Sequence, residues 1–459
     1  MDQQARPAGG RTVCVVGAGA AGLTVAHELE RLGHRAVVLE SAGDIAGKAA
    51  SAEVDGHVYD LGAHICTMRY VEVAALLDEL GLESEPITPI HVHDLHGGRI
   101  VPSDPAFFQR GSMERYLSVR REEFPDLGRP GLAHSAAVLA RPAGEWLREH
   151  GLTSMAGTLG PGYSSCGYGF LTGDLPALYF LKYAEMAGVS EGGRWVRGHP
   201  VLFTVKGGLG LLWRRVAERL TDVRTGVRVD SIERGPEGVT VRVRPGETRR
   251  EGGSGEEQDT AAGGAPGAAE GASGPARDAG PEEIVADDLV LTVALDRVLP
   301  LLDATEDERD LASRVRTIDY RTVLCRASDL PPEGFYILPS TAEEAAGGRC
   351  VAYHSRYAGQ DVYTCYCYGG GLGPAALVEV LRGDLAQVGG VLREVLRVEP
   401  WAYMPHFGGE DLAAGIYDRV EALQGRNRTY QVGSLPAFEL LESNIAYARD
   451  IVHRFFIPS

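Results

Sequence analysis

Six consecutive residues near the start of the chain have the spacing of a loop that binds a pyrophosphate. They are Gly17, Ala18, Gly19, Ala20, Ala21 and Gly22. Gly17 would allow a tight turn, Gly19 would let a pyrophosphate approach the backbone, and Gly22 would let a helix pack closely on a strand. Glu40 follows at about the 20-residue distance at which an acidic side chain accepts hydrogen bonds from ribose hydroxyls. Together these residues predict a dinucleotide-binding site.

The segments around this motif have the pattern of a βαβ unit. Thr12–Val16 is an apolar run typical of a buried parallel strand, Ala20–Leu32 has helical spacing of apolar residues, and Ala36–Leu39 is typical of a second strand. In this order the glycines open the helix, where unpaired N–H groups and a partial positive charge favour phosphates. A glycine-rich turn of another fold would not explain the acidic residue. Further along the chain, Val71–Leu80 is a second candidate helix.

Composition disfavours several classes of partner. The formal charge, 45 − 63 = −18, disfavours nucleic acid and anionic membranes. The chain has no run of about 18 apolar residues, so we expect no transmembrane helix. Met1–Arg11 lacks the apolar core of a secretory signal, and we therefore expect a cytoplasmic protein. Seven scattered cysteines favour reduced thiols, and no Cys/His spacing predicts a metal site.

Two further stretches resemble the flavin amine oxidase superfamily, whose members include protoporphyrinogen oxidases and carotenoid desaturases. They are Ser41–Ser51 (SAGDIAGKAAS) and Gly56–Ile65 (GHVYDLGAHI). The resemblance implies FAD as the cofactor. It also implies that Gly47 and Lys48 run along the pyrophosphate, with Lys48 as a charge partner of the phosphate, and that the turn at Gly62, Ala63 and His64 approaches the flavin ring.

Later segments extend this resemblance over perhaps half of the chain. Gly207–Leu220 resembles the family's Gly-Gly helix start, and Val229 resembles a valine whose backbone reads the adenine. The stretch from Tyr430 to Phe456 resembles the terminal flavin-binding turn and helix, with Ser434 in place of the family's acid. Trp401–Phe407 and this ending are most similar to cyclopiazonate dehydrogenase-like oxidocyclases. The cofactor-binding residues implied by the resemblance are completed by Ser41, Gly433, Glu442 and Asn444.

The resemblance and the 459-residue length imply an α/β fold with α+β elements. We expect a Rossmann-like, GR2-type FAD-binding domain interleaved with a mixed helical and β-sheet substrate domain. The FAD-binding segments are predicted at 1–85, 206–300 and 401–459, and the substrate segments at 86–205, mainly helical, and 301–400, rich in strands. Residues 245–283, rich in Gly, Ala and Glu without an aromatic residue, predict a disordered acidic loop.

The C-terminal stretch predicts a turn at Gly433–Pro436 followed by one long helix over Ala437–Phe456. A helix N-terminus at Ser434–Ala437 aimed at the pyrimidine edge of a flavin would stabilise the negative charge that the ring gains on reduction. A helix that merely packs against the domain is the alternative.

Several side chains are candidates for the reaction itself, each with a structural alternative. Trp401 and Tyr403 are expected in the wall of the pocket that faces the flavin, and His64 beside the ring. Lys206 and His406 are candidates for proton transfer. No lysine follows Lys206, so the lysine that many amine oxidases place near the flavin is absent, and Arg321 and Arg326 are not equivalent bases. No cysteine follows Cys367, which favours noncovalent FAD.

No second GxGxxG follows a predicted strand, so we expect electrons to come from an organic substrate and to leave to dioxygen. The predicted function is hydride transfer from a C–N or adjacent C–C bond of a medium-sized lipophilic metabolite, with a weak indication of secondary metabolism. A desaturase or isomerase acting on a polyene or prenyl substrate is the first alternative. A flavin-bound scaffold without turnover is the second.

Overall fold

A five-stranded parallel sheet forms the base of the fold in this computed structural model, which describes residues 10–87, 90–94, 99–101, 105–189, 196–246 and 282–457. The strands stand in the order β10-β2-β1-β14-β20. They are β1 (Thr12–Val16), β2 (Arg35–Leu39), β10 (Val223–Arg224), β14 (Asp288–Leu291) and β20 (Thr429–Gln431). Every residue of β1 and β14 is buried, as expected for strands covered on both faces. Three distant parts of the chain therefore build one sheet.

Four helices pack around this sheet: α1 (Ala20–Arg31), α2 (Val71–Leu80), α7 (Leu209–Ala217) and α15 (Leu441–Phe455). The βαβ unit and α2 lie where the sequence predicts them, within one residue at each end. The predicted α/β fold is confirmed. None of the described helices is both long and apolar enough to span a bilayer.

A seven-stranded sheet forms the second layer, in the order β19-β15-β18-β17-β16-β7-β8. Its strands are β7 (Ile90–Asp94), β8 (Arg99–Val101), β15 (Arg316–Ser328), β16 (Gly334–Ile337), β17 (Arg349–Ser355), β18 (Val362–Tyr368) and β19 (Val391–His406). Strand β19 runs across the boundary predicted at residue 400, and β7 and β8 come from the segment predicted as mainly helical. Strand β7 pairs antiparallel with its neighbour β8 and parallel with β16, so this part of the segment joins the seven-stranded sheet.

Helices α3 (Arg110–Glu123), α4 (Ala143–Glu149), α5 (Thr153–Ser165) and α6 (Ala177–Met186) follow β8. The remaining helices are α8 (Leu295–Val298), α9 (Glu306–Arg314), α10 (Ala342–Ala346), α11 (Pro374–Gln387), α12 (Gly409–Ala413), α13 (Ile416–Ala422) and α14 (Ser434–Ala437). Three small sheets contain β3 (Ser51–Val54) with β4 (His57–Asp60), β5 (Cys66–Thr67) with β6 (Ser84–Pro86) and β9 (Leu202–Val205), and β11 (Val227–Gly235) with β12 (Gly238–Pro245) and β13 (Glu282–Ala286). Most of the predicted acidic loop, 247–281, lies outside the described residues; the strands on either side of it pair antiparallel.

The C-terminal region differs from the single helix predicted over Ala437–Phe456. The short helix α14 ends at Phe438, whose φ of 82° is left-handed, and α15 begins only at Leu441. The amide of Asn444 stabilises this break because its Nδ2 donates to the carbonyl oxygens of Phe438 and Leu440, at 2.9 and 2.8 Å. The break exposes Glu439 to a cavity described below.

Candidate active site

The glycine loop lies at the carboxyl ends of β1, β14 and β20, the edge at which open parallel sheets bind ligands. A Cβ atom on Gly22 would lie 2.0 Å from the carbonyl oxygen of Gly17, so only glycine lets α1 pack here. A Cβ on Gly19 would meet no protein atom within 4 Å. The space beside Gly19 is therefore open, which fits the approach of a pyrophosphate to its backbone.

The remaining predicted nucleotide contacts surround this loop. Glu40 accepts the backbone N–H of Ala18 on Oε2 at 2.9 Å and that of Ala42 on Oε1 at 2.8 Å, and Oε2 keeps a further lone pair for a ribose hydroxyl. The hydroxyl of Ser41 lies 3.3 Å from Glu40 Oε1. Strand β11, which carries Val229, begins beside Glu40, since the N–H of Val227 donates to its carbonyl oxygen at 2.9 Å.

The second motif packs directly on the first. A Cβ on Gly47 would lie 3.4 Å from the Cα of Gly19, and one on Gly62 only 2.1 Å from the carbonyl oxygen of Lys48. The N–H of Ala63 donates to the same oxygen at 2.9 Å. Gly433, with a φ of 105°, closes the far side, where a Cβ would lie 2.8 Å from the carbonyl oxygen of Thr292. Because these positions are glycines, the backbone segments approach one another closely and form one groove. The groove fits FAD.

A cavity of about 250 Å³ continues from this groove towards the seven-stranded sheet. Its floor is formed by Lys48, Gly62, Ala63 and His64 together with Glu439, Leu440 and Leu441. The rest of the lining is mainly aromatic and includes Tyr168, Tyr320, Phe335, Tyr366, Trp401 and Tyr403. Residues of the nucleotide-binding segments therefore meet apolar residues of the second layer in one space.

An ion pair between Lys48 and Glu439 lies in the cavity wall. Lys48 Nζ donates to Glu439 Oε2 at 2.6 Å, and the same carboxylate accepts the hydroxyl of Ser434 at 2.7 Å and the N–H of Met404 at 2.8 Å. Lys48 Nζ also lies 5.2 Å from the ring centre of Tyr403. The structure thus gives Lys48 a carboxylate partner, where the sequence predicted a phosphate.

His64 is buried, lines the cavity and is neutral at physiological pH. Burial lowers its pKa to about 4. Its Nδ1 lies 3.1 Å from the carbonyl oxygen of Gly62 and 3.0 Å from the hydroxyl of Tyr366, whereas Nε2 has no partner among the described residues. A proton on Nδ1 would be donated to Gly62 and leave Nε2 an acceptor, whereas donation by Tyr366 would leave Nε2 a donor.

Trp401 and Tyr403 both line the cavity. The indole Nε1 of Trp401 donates to the carbonyl oxygen of Leu61 at 3.2 Å and to the hydroxyl of Thr322 at 3.1 Å, which fixes the ring orientation. Tyr403 stacks on Tyr168 with ring centres 5.8 Å apart. Arg321 and Arg326, named above as poor substitutes for the missing lysine, pair with Asp319 and with Asp55 and Asp361 instead of lining the cavity.

The structure gives no support to proton transfer by the other two candidates. Lys206 is exposed and pairs with Glu83. His406 is buried away from the cavity lining, with Nδ1 2.7 Å from the carbonyl oxygen of Met404.

Residues near the end of the chain also have structural roles that the motif did not reveal. Glu442 accepts the N–H groups of Glu72 and Val73 and so caps α2, while Asn444 stabilises the break before α15. The N-terminus of α15 borders the cavity, since Leu440 and Leu441 line it, whereas none of Ser434–Ala437 is among the described residues that do. That Ser434–Ala437 faces the flavin stays a prediction. The sequence analysis did not identify Glu439 as a site residue. The feature that could have indicated it is its position as the single acidic residue in the apolar run LPAFELL.

Comparison with known proteins agrees with this geometry. The profile of the family described as flavin containing amine oxidoreductase matches residues 20–256. A putative flavin-containing monoamine oxidase of Mycobacterium tuberculosis is 31% identical over 252 residues, which is 50% of this chain and 53% of that protein. Protoporphyrinogen oxidase 2 of Arabidopsis thaliana is 39% identical over 89 residues, 19% of this chain and 18% of its own length. The chain thus aligns with about half or less of these relatives.

Among solved structures, the CLA-producing fatty acid isomerase from P. acnes has the same fold, with a TM-score of 0.79 and 21% identity. The superposition covers 97% of this chain and 99% of that one. The glycine loop, the groove and the family profile lead to one assignment. The chain belongs to the flavin-containing amine oxidoreductases, a family that uses FAD.

Proposed function

We propose that this protein is an FAD-dependent oxidoreductase that takes a hydride from a C–H bond of a lipophilic substrate, at a carbon next to a double bond. The observation that carries this proposal is the cavity in which the nucleotide-binding segments meet an aromatic wall. Bound FAD supplies the two-electron acceptor. The protein's own contribution is to hold the substrate carbon close to it and to exclude water.

The charges around the cavity favour a substrate that is uncharged where it reacts. The charge of the Glu439 carboxylate is already balanced by Lys48, and Ser434 and Met404 donate to it as well, so it offers little net attraction to an ammonium group. His64 is neutral because burial lowers its pKa to about 4. The rest of the described lining is largely apolar and aromatic, which suits a hydrocarbon segment.

Individual residues orient the substrate. Trp401, fixed by two hydrogen bonds through its indole nitrogen, presents a rigid face. His64 offers one unpartnered nitrogen to a polar group of the substrate. Two electrons leave the substrate with the hydride. Either the hydride is then returned to another carbon of the resulting allylic cation, which shifts the double bond, or the cation loses a proton from a neighbouring carbon, which leaves a new double bond. In the second case the two electrons and two protons reach dioxygen and yield hydrogen peroxide. The fold shared with a fatty acid isomerase supports the first outcome.

Oxidation of a neutral amine at its C–N bond is the second candidate. It is favoured by the aromatic pair Trp401 and Tyr403 in the cavity wall, since such rings can guide an uncharged amine, and by the relative described as a putative monoamine oxidase.

Anaerobic mixing of the FAD-loaded protein with substrates of both classes tests the proposal. Unsaturated fatty acids and linear polyenes should bleach the flavin absorbance or yield a shifted double bond detected by mass spectrometry. Bleaching by lipophilic amines alone would assign the second candidate. No bleaching and no product with either class would refute hydride transfer as the function.

A further inference from the structure

A second chamber lies beside the aromatic cavity, on the side away from the nucleotide groove. One wall is the face of helix α5 that carries Ala156, Gly160 and Ser164, and the other is the segment that follows β16. Its volume is about 280 Å³. None of its residues belongs to the motifs discussed above, and the proposed reaction does not require it.

The two spaces share part of their walls. Ser165 and Ile337 border both the cavity and the second chamber. The hydroxyl groups of Tyr320 and Tyr368 donate to the last carbonyl oxygens of α5, at Ser165 and Ser164, so the backbone of this partition is held in place. Ile337 contributes an aliphatic side chain to this shared wall. Joining the two spaces requires the wall to move, and a change of rotamer at Ile337 is one such movement.

The second chamber has a mixed, uncharged lining. It includes the apolar side chains of Ile337, Phe170 and Val351 together with serine and threonine residues, of which Thr172 and Thr341 are exposed. No Lys or Arg is among the described residues that line it. Such a lining suits a hydrocarbon chain with a polar, uncharged or solvated end near the surface.

We propose that the second chamber binds the distal part of an unbranched alkyl or acyl chain whose reacting segment occupies the aromatic cavity. The substrate class is thus a linear chain long enough to pass Ile337, as opposed to a compact ring system. This inference rests on the proposed function, since it assumes that the reacting carbon lies in the cavity.

Binding of non-reacting linear alcohols to the FAD-loaded protein tests it without turnover. Octanol, dodecanol and hexadecanol are titrated while the flavin absorption spectrum is recorded. Each methylene group that becomes buried should strengthen binding by up to about fourfold. In Ala156→Phe, whose ring would fill the second chamber, hexadecanol should lose at least about tenfold in affinity while octanol changes by less than about twofold.

Two variants make the result decisive. Ala376→Phe places the same side chain on the exposed face of α11 and should leave all three alcohols unaffected. Thr172→Trp obstructs the exposed rim without touching the core and should reproduce the loss if Ala156→Phe folds poorly. Unchanged hexadecanol affinity in a folded, FAD-loaded rim or chamber variant would overturn the proposal, as would equal affinity of the wild type for all three alcohols. Failure of the proposed function would instead appear as an unreduced flavin together with no shifted double bond in the anaerobic assay.

Discussion

The ion pair between Lys48 and Glu439 makes a quantitative prediction. In Glu439→Gln the buried carboxylate loses its charge while three donors still point at it, those of Lys48, Ser434 and Met404. Removing one partner of a fully buried pair costs roughly 3–5 kcal/mol. Because the Lys48 side chain is 32% exposed and can be partly rehydrated, we expect a smaller loss of about 2–3 kcal/mol in the free energy of unfolding.

Backbone strain adds to the importance of this carboxylate. Met404 and Phe438 both have left-handed backbone conformations, with φ of 45° and 82°, and each such residue costs about 1–3 kcal/mol. The bond from the N–H of Met404 to Glu439 helps to hold one of them. We therefore expect Glu439→Gln to loosen the wall that carries Trp401 and Tyr403, and to weaken substrate binding as well as stability.

A double-mutant cycle with Lys48→Met measures the pair itself. Urea unfolding of the protein without FAD should show that the double variant is more stable than the sum of the two single losses predicts, by about 2 kcal/mol. Additivity within about 0.5 kcal/mol would refute the ion pair as a stabilising unit. The dissociation constant of FAD distinguishes the alternative role of Lys48. If Lys48 serves the phosphate, Lys48→Met should weaken FAD binding equally with and without Glu439.

Two further predictions concern the glycine loop and a buried acid. Gly19→Ala should fold normally, because its Cβ would meet no protein atom within 4 Å, but it should bind FAD about tenfold or more weakly. Gly22→Ala should instead lose about 1–3 kcal/mol of unfolding free energy, because its Cβ would lie 2.0 Å from a carbonyl oxygen. Urea unfolding and FAD titration of both variants check these expectations. Burial raises the pKa of Glu442 from 4.5 to about 8, so the folded state keeps a proton that the unfolded state releases across that window. The stability of the wild type relative to Glu442→Gln should therefore fall as pH rises between about 5 and 8, and a flat difference in unfolding free energy would contradict the assignment.

Much of the nucleotide-binding half follows from local sequence. The strand Thr12–Val16, the helix after it and the helix Val71–Leu80 lie where their apolar periodicity places them, because burial of one face selects secondary structure over a few turns. The glycines were predictable for a similar reason. Each is required by a contact with backbone close at hand, such as Gly22 against Gly17.

The C-terminal region shows where local rules fail. Periodicity favours one helix over Ala437–Phe456, yet the backbone turns left-handed at Phe438 and places Glu439 in the cavity. Asn444, within the segment, stabilises the break, but Glu439 finds its partners in Lys48 and Met404, which lie outside the segment. No pattern within the segment contains that information.

The sequence by itself determined the βαβ unit and its glycine loop, because these depend on contacts between residues close in the chain, and the resemblance of Ser41–Ser51 and Gly56–Ile65 to a known family implied FAD. Only the tertiary structure decided what surrounds the reacting atoms. The pair of Lys48 with Glu439 joins positions 391 residues apart, and His64 meets Tyr366 across 302 residues. Such contacts arise when separate sheets pack together, and packing depends on the shape of the whole core.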